Sequence, residues 1–99
     1  MNRAQKKLDR QFFDAGMIIL SVKAYKDVTE FKTTLGKTAE KVRGLRAELD
    51  DAEYAEAFAE FWRRNARKYE PFFELGVDPD SFSSTLWNWA QTQELPYWQ

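Results

Sequence analysis

One stretch of the sequence, from Asp50 to Tyr69, constrains the fold most, because its apolar residues recur with the period of an α-helix. On a helical wheel they cover an arc of roughly 220°, about twice the stripe on a helix that covers one side of a core. Such a helix needs neighbours on two sides. We therefore expect an all-α fold, a small bundle of about four helices with the third helix central. The apolar residues are Ala52, Tyr54, Ala55, Ala57, Phe58, Ala59, Phe61, Trp62, Ala66 and Tyr69.

The remaining arc of this helix carries charged side chains, which favours a solvated face. Glu60 is placed to pair with Arg64 one turn later. Glu56 and Glu60 are close enough to share a hard cation, but the Glu-x-x-His motif of carboxylate metal bundles is absent, so we expect no metal site. Asn65 falls in the middle of the apolar arc, which predicts a buried amide with hydrogen-bond partners.

The first helix is predicted over residues 2–25 from apolar residues at alternating spacings of four and three. Gly16 interrupts this stripe at a cost of ~1 kcal/mol relative to alanine, which indicates either close packing against a neighbour or a break. A β-strand over residues 17–25 is the alternative, although no second run of strand composition offers it a partner. The stripe consists of Leu8, Phe12, Ala15, Ile19 and Val22.

The second helix is predicted over residues 28–49, because Asp27 and Glu30 have the spacing of a capping box. Its apolar seam contains Gly36 and Gly44, so a helix that ends at Gly36 and restarts after Thr38 is an alternative.

A second capping box, at Asp50 and Glu53, predicts that the third helix covers residues 51–69. Pro71 disfavours helical geometry in the residue before it, so a short turn follows at 71–75 with Phe72, Phe73 and Leu75 as apolar anchors. Asp78 followed by Pro79 predicts the last helix over 79–94. Residues 96–99 form a tail after Pro96.

Ninety-nine residues, 43% of them hydrophobic and 31% charged, fit one helical domain over residues 1–99. The absence of cysteine and histidine removes the thiol nucleophile, the commonest general base and the usual soft metal ligands. No phosphate-binding glycine motif is present either. We therefore expect no catalytic, cofactor-binding or metal-binding residues and no enzymatic activity. The chain has no apolar run long enough for a membrane span and no visible signal sequence, so a cytoplasmic protein without membrane contact is expected.

Charge is divided unevenly between the two halves of the chain. Residues 1–46 hold eleven Lys and Arg against five Asp and Glu, whereas residues 47–99 hold four against eleven. One interpretation is two helical layers whose exposed faces attract each other or a second copy of the chain. The other is that one half faces a charged partner. The basic candidates for contact with nucleic acid are Arg3, Lys6, Lys7, Arg10, Arg63, Arg64 and Arg67.

Nucleic-acid binding is the weaker hypothesis for these basic residues. Basic side chains in the last turns of a helix are favoured by its dipole, and Glu53, Glu56 and Glu60 dilute the positive field. The net charge of −1 also gives little general attraction for a polyanion.

Aromatic residues near the C-terminus are the better functional candidates. Trp87 is predicted to point away from the apolar face of the last helix, and Trp and Tyr often anchor protein interfaces. The protein-interface candidates are thus Trp87, Tyr97 and Trp98, unless the tail folds back and completes the core.

The sequence therefore favours a small non-enzymatic protein-binding module, such as an adaptor, an assembly factor or a stoichiometric inhibitor. Its partner is expected to be another protein or a second copy in a homodimer. The alternatives are a nucleic-acid-binding protein that uses the basic N-terminal half, and an acidic nucleic-acid mimic that inhibits an enzyme acting on nucleic acid.

Overall fold

The computed structural model describes residues 3–74 and 76–94 and confirms the all-α bundle of four helices. The residues described include no strand, which excludes the strand alternative for residues 17–25. The predicted tail at 96–99 lies outside the described residues. The helices are α1 (Arg3–Leu20), α2 (Val28–Arg46), α3 (Asp51–Asn65) and α4 (Pro79–Thr92), with short 3₁₀ helices at Val22–Ala24 and Ala66–Phe72.

Helices α2, α3 and α4 each begin after an aspartate that accepts hydrogen bonds from backbone amides of the first turn, as the sequence predicted. Asp27 accepts from the Glu30 amide at 2.8 Å. Asp50 accepts from the Glu53 amide at 2.8 Å, and the Glu53 carboxylate accepts in return from the Asp50 amide at 3.0 Å. Asp78 caps α4 in the same way. Caps of this kind each stabilise a helix by about 1 kcal/mol, so the three starts are locally encoded.

The first helix is shorter than predicted and ends at Leu20 rather than at residue 25. The Ser21 amide donates to the carbonyl oxygens of both Met17 and Ile18, at 3.0 and 3.2 Å, and this sharing tightens the chain into the 3₁₀ helix that follows.

The second helix runs unbroken through Gly36 and Gly44, so the alternative of a break after Gly36 is wrong. It ends at Arg46, three residues before the predicted limit. The chain then turns through hydrogen bonds such as that from the Leu49 amide to the Arg46 carbonyl at 2.9 Å.

The third helix gives way to 3₁₀ geometry at Asn65, although the sequence predicted a continuous α-helix to residue 69 and a separate turn at 71–75. Asn65 is buried, as predicted, and its side-chain amide donates to the Phe61 carbonyl at 2.9 Å. Such side-chain bonds to the preceding turn often bend a helix. The last helix ends at Thr92 rather than at residue 94, with Gln93 in the left-handed region at φ 58°.

Contacts along α1 and α3 show that these two helices run in the same direction. The Gln5 side chain donates to the Ala57 carbonyl at 2.9 Å, and one turn further along Arg64 pairs with Asp9 at 2.7 Å. Helices α2 and α4 run the other way. We call the end formed by the N-termini of α1 and α3 the lower end, and the opposite end the upper end.

The aromatic part of the buried core lies between α1, α3 and α4, and α2 adds further buried side chains such as Leu35 and Val42. Phe12 on α1 is fully buried, and its ring meets those of Tyr54, Phe58 and Phe61 on α3 edge-on, with centroids 5.3 to 5.8 Å apart. The closest backbone approaches in the bundle are made by α1, which contacts α2, α3 and α4. Helix α3 is central to the aromatic core, whereas α1 is central to the backbone packing.

Gly16 is where α1 and the chain after α3 approach most closely. A Cβ atom at this position would overlap the ring and hydroxyl of Tyr69, so only glycine fits beside that ring without a shift. The Tyr69 hydroxyl donates to the carbonyl oxygens of Phe12 and Phe13, at 3.3 and 3.1 Å. Of the two predictions for Gly16, close packing is therefore confirmed.

Candidate functional site

Trp87, the first predicted interface residue, packs against the core instead of pointing away from it. Its ring lies 4.9 Å from that of Phe58 and 5.9 Å from that of Tyr54, between centroids, and the side chain is half-buried. The wide apolar arc of α3 is the reason, since it covers a second side of α4. The other two candidates, Tyr97 and Trp98, lie outside the described residues.

Two of the basic candidates on α3 form ion pairs with acidic side chains. Arg63 and Arg64 both donate to the Glu60 carboxylate, at 2.8 and 2.7 Å, which confirms the predicted Glu60 to Arg64 pair. Arg64 also reaches Asp9 on α1 at 2.7 Å. The hydrogen bond from Arg63, helped by the charges of both arginines, lowers the pKa of Glu60 from its ordinary value. Each of these arginines therefore has an acidic partner, although Arg63 itself stays largely exposed.

The other basic candidates remain exposed. Arg67 lies on the 3₁₀ helix after α3, and Arg3, Lys6, Lys7 and Arg10 lie along α1. Lys6 and Arg10 line a small groove together with Lys68, which follows Arg67 on the 3₁₀ helix after α3. Asp9 and Asp14 line the same groove, so its charge is mixed.

A larger groove lies between the middle of α1 and the last turns of α2. Its volume is about 590 Å³, and Lys7 and Arg10 of α1 face Lys41 of α2 across it. Leu45, half-buried, supplies an apolar patch, and Gly44 leaves the α2 side of the groove without a side chain. We call this feature the basic groove. Its full lining is Lys7, Arg10, Gln11, Asp14, Lys41, Gly44 and Leu45.

Large apolar side chains that are exposed in the described part of the chain all lie at the upper end. Phe72 is 54% exposed, and Val28 and Val77 are each 38% exposed. Phe73, the neighbour of Phe72, instead turns inward and packs edge-on against Phe82 with centroids 5.5 Å apart. We call Phe72 and Val77, together with the chain between them that is described, the apolar end.

The stretch of chain that carries the apolar end also carries several exposed carboxylates. No lysine or arginine follows Lys68 in the sequence, although Arg67 and Lys68 themselves lie on the same 3₁₀ helix as Phe72. One of these carboxylates, that of Glu74, pairs with Lys23 of the first 3₁₀ helix at 3.2 Å, and both side chains are exposed. The exposed acidic residues of the segment are Glu70, Glu74, Asp78 and Asp80.

The exposure of Phe72 is only weakly indicated by the amino-acid sequence. It was predicted to be an apolar anchor of the turn at 71–75, yet more than half of its side chain contacts solvent. Periodicity could not reveal this exposure, because the residue follows Pro71 in 3₁₀ geometry, where the α-helical repeat does not apply.

Two buried tyrosine hydroxyls are used structurally. Tyr54 donates to the Ala90 carbonyl at 2.5 Å, near the end of α4. Burial raises the pKa of Tyr54 to about 12, although the Arg46 guanidinium over its ring acts in the opposite direction. Burial, together with the charge of Asp14, also raises the pKa of Tyr69 far above its ordinary value. Both phenols therefore stay neutral at physiological pH and serve as hydrogen-bond donors.

Within the described residues, no group of three or more acidic side chains is arranged to hold a metal ion. No helix in the same part of the chain has the length and apolar character needed to cross a membrane. Comparisons with protein-family models, with curated proteins and with solved structures find no match to this chain. The apolar end and the basic groove are therefore the two surfaces from which a function can be proposed.

Proposed function

We propose that this chain is a small protein-binding module that acts without catalysis, as an adaptor, an assembly factor or a stoichiometric inhibitor. Its contact surface is the apolar end. The observation that carries the proposal is the 54% exposure of Phe72 beside Val77, at one end of a bundle whose other described phenylalanines are at least partly buried.

Physical chemistry supports a protein partner for this surface. Single exposed apolar residues are common on soluble proteins, but clustered ones with a polar rim mark interaction sites. Aromatic side chains are enriched at the centres of interfaces, where charged residues form the surrounding rim. Phe72, an exposed aromatic residue with exposed carboxylates nearby in the sequence, fits this description. The proposed contact surface is therefore at the upper end rather than at Trp87, whose ring already packs on α3.

The site of action is proposed to be the cytoplasm, since a chain without cysteine is compatible with a reducing compartment.

The proposal is tested by capture from extracts of the native host, with wild-type and Phe72→Ser chains as baits. Lys37→Ser on α2 is the control, because it also changes one exposed side chain but lies away from the apolar end. We expect proteins that bind the wild type and Lys37→Ser to be lost from Phe72→Ser, with the circular dichroism spectrum unchanged. Capture of the same proteins by all three baits would refute the proposal.

A second candidate is nucleic-acid binding through the basic groove, favoured by the meeting of Lys7, Arg10 and Lys41 across it. If it holds, a short duplex binds at low salt and its affinity falls steeply as salt rises, because phosphate contacts release counterions. Lys41→Gln should then reduce the slope of this salt dependence. Absence of duplex binding at low salt would remove this candidate and leave the first one unaffected.

A further inference from the structure

The apolar end and the basic groove have complementary chemistry. The apolar end presents an exposed phenylalanine near several carboxylates, and the basic groove presents a leucine and a glycine among three cationic side chains and one carboxylate, that of Asp14. Because the groove is formed by the middle of α1 and the last turns of α2, it lies along the side of the bundle rather than at the upper end. The apolar end and the basic groove are therefore separate surfaces of the molecule.

The charges of the basic groove are not used within the described part of the chain. Lys7, Arg10 and Lys41 form no ion pair with any described acidic residue. On the apolar end, Glu70 and Asp80 are likewise exposed and form no ion pair among the described residues. Opposite charges thus remain available for contact between molecules.

The shape of the groove also suits an inserted aromatic ring. Its volume of about 590 Å³ falls in the range of ~300–1,000 Å³ typical of sites that enclose an organic group. A Cβ atom built at Gly44 would touch nothing, so the fold itself does not require glycine there. The missing side chain leaves Leu45 accessible from the groove.

We infer that a second copy of this chain occupies the basic groove. Phe72 of one copy inserts against Leu45 and Gly44 of the next, and the carboxylates near the apolar end face Lys7, Arg10 and Lys41. The inference rests on the proposed function, because it assigns a partner to the same apolar end. Two different surfaces meet in this contact, so an assembly of any length keeps one unused apolar end at one terminus and one unused groove at the other, and it grows head to tail.

The experiment is sedimentation velocity on the purified chain at rising concentration and low salt. The average mass should grow beyond that of a dimer with concentration and return toward that of a monomer at high salt, because screening weakens the charged contacts. Two variants block one surface each. Phe72→Ser removes the inserted ring, and Lys41→Glu places a negative charge in the groove, so each variant alone should associate at least about tenfold more weakly.

Mixing the two variants gives the decisive result. The Phe72→Ser chain keeps its groove and the Lys41→Glu chain keeps its apolar end, so an equimolar mixture should form a one-to-one dimer that does not grow further. Arg43→Glu is the matched control, since it makes the same charge change on α2 at an exposed position outside the groove. This control should associate like the wild type.

Three outcomes would overturn the inference. They are a wild type that stays monomeric at all concentrations, association that is insensitive to Phe72→Ser, and variant mixtures that stay monomeric. If the first outcome occurs while Phe72 is still needed for capture of host proteins, self-association is refuted and the proposed function stands. If capture from the host does not depend on Phe72, the proposed function fails independently of the mass measurement.

Discussion

Phe12 and Phe72 are the same residue type in opposite environments. Phe12 is fully buried and contacts three aromatic rings of α3, whereas Phe72 is 54% exposed at the upper end. The difference shows that this small bundle completes its core and still leaves an aromatic side chain in solvent. Phe12 is part of the folded core, and we propose that Phe72 serves association instead.

Replacement of Phe12 by alanine should lower the free energy of unfolding by about 3–5 kcal/mol, because it removes a ring from a fully packed cluster. Phe72→Ala, the matched variant, should change that free energy by less than about 1 kcal/mol, since solvent already covers half of the side chain. Urea denaturation followed by circular dichroism measures both values. Equal losses for the two variants would contradict the division between core and apolar end.

High pH should weaken the core selectively. The folded state holds the pKa of Tyr54 at about 12, above the ordinary value of 10.0, so it binds the phenolic proton more tightly than the unfolded chain does. This tighter binding of the proton contributes about 2–3 kcal/mol to the free energy of unfolding. The contribution is fully present below pH 10 and is lost as the pH rises toward 12.

Urea denaturation at a series of pH values measures this loss, with Tyr54→Phe as the control. The control cannot ionise at this position, so the difference in unfolding free energy between wild type and Tyr54→Phe should shrink or reverse between pH 10 and 12. A constant difference across that range would show that Tyr54 ionises equally easily in both states.

Alanine substitutions at a buried and at an exposed glycine should have opposite effects on stability. Gly16→Ala forces a methyl group into Tyr69 and should destabilise the chain by about 1–3 kcal/mol. Gly44→Ala has open space and a helical backbone, so it should stabilise the chain by about 0.5–1 kcal/mol. Thermal unfolding should thus shift in opposite directions for the two variants. A gain in stability for Gly16→Ala would mean that Tyr69 does not pack against α1 as described.

Replacement of either of two neighbouring arginines should change the free energy of unfolding only slightly. Arg64 is half-buried and connects Glu60 on its own helix with Asp9 on α1, so Arg64→Ala should cost about 1 kcal/mol. Arg63 is exposed and pairs with Glu60 alone, so Arg63→Ala should lower the unfolding free energy less than Arg64→Ala does. Chemical denaturation distinguishes them, and a larger loss for Arg63→Ala would contradict the contact between α1 and α3.

The starts of the helices were predictable because the signals are local. Asp27, Asp50 and Asp78 each bond to amides within three residues, and the sequence alone shows that spacing. The ends were not predictable to the same degree. Helix α1 ends at Leu20 because the Ser21 amide donates to two carbonyl oxygens, those of Met17 and Ile18. No side chain in the sequence indicates this backbone arrangement.

The candidate site was less predictable, since it depends on contacts between distant parts of the chain. The Glu60 to Arg64 pair follows from spacing on one helix, but the partnership of Arg64 with Asp9 bridges 55 positions. Trp87 was predicted to face outward because α4 was considered without its neighbour, and the wide arc of α3 covers it. The exposure of Phe72 follows from the path of the chain after α3, which periodicity does not describe.

The most direct test of the central claim uses the absence of cysteine in this chain, which allows one label at a chosen position. Val77→Cys carries an environment-sensitive fluorophore beside Phe72, and Lys37→Cys carries it on α2 as the control. The account predicts that unlabelled wild-type chain, or extract of the native host, shifts the emission to shorter wavelength at position 77 and leaves it unchanged at position 37. It also predicts that Phe72→Ser in the labelled chain abolishes the shift. Emission at position 77 that stays typical of solvent under both conditions would contradict the claim that the apolar end is a protein-binding surface.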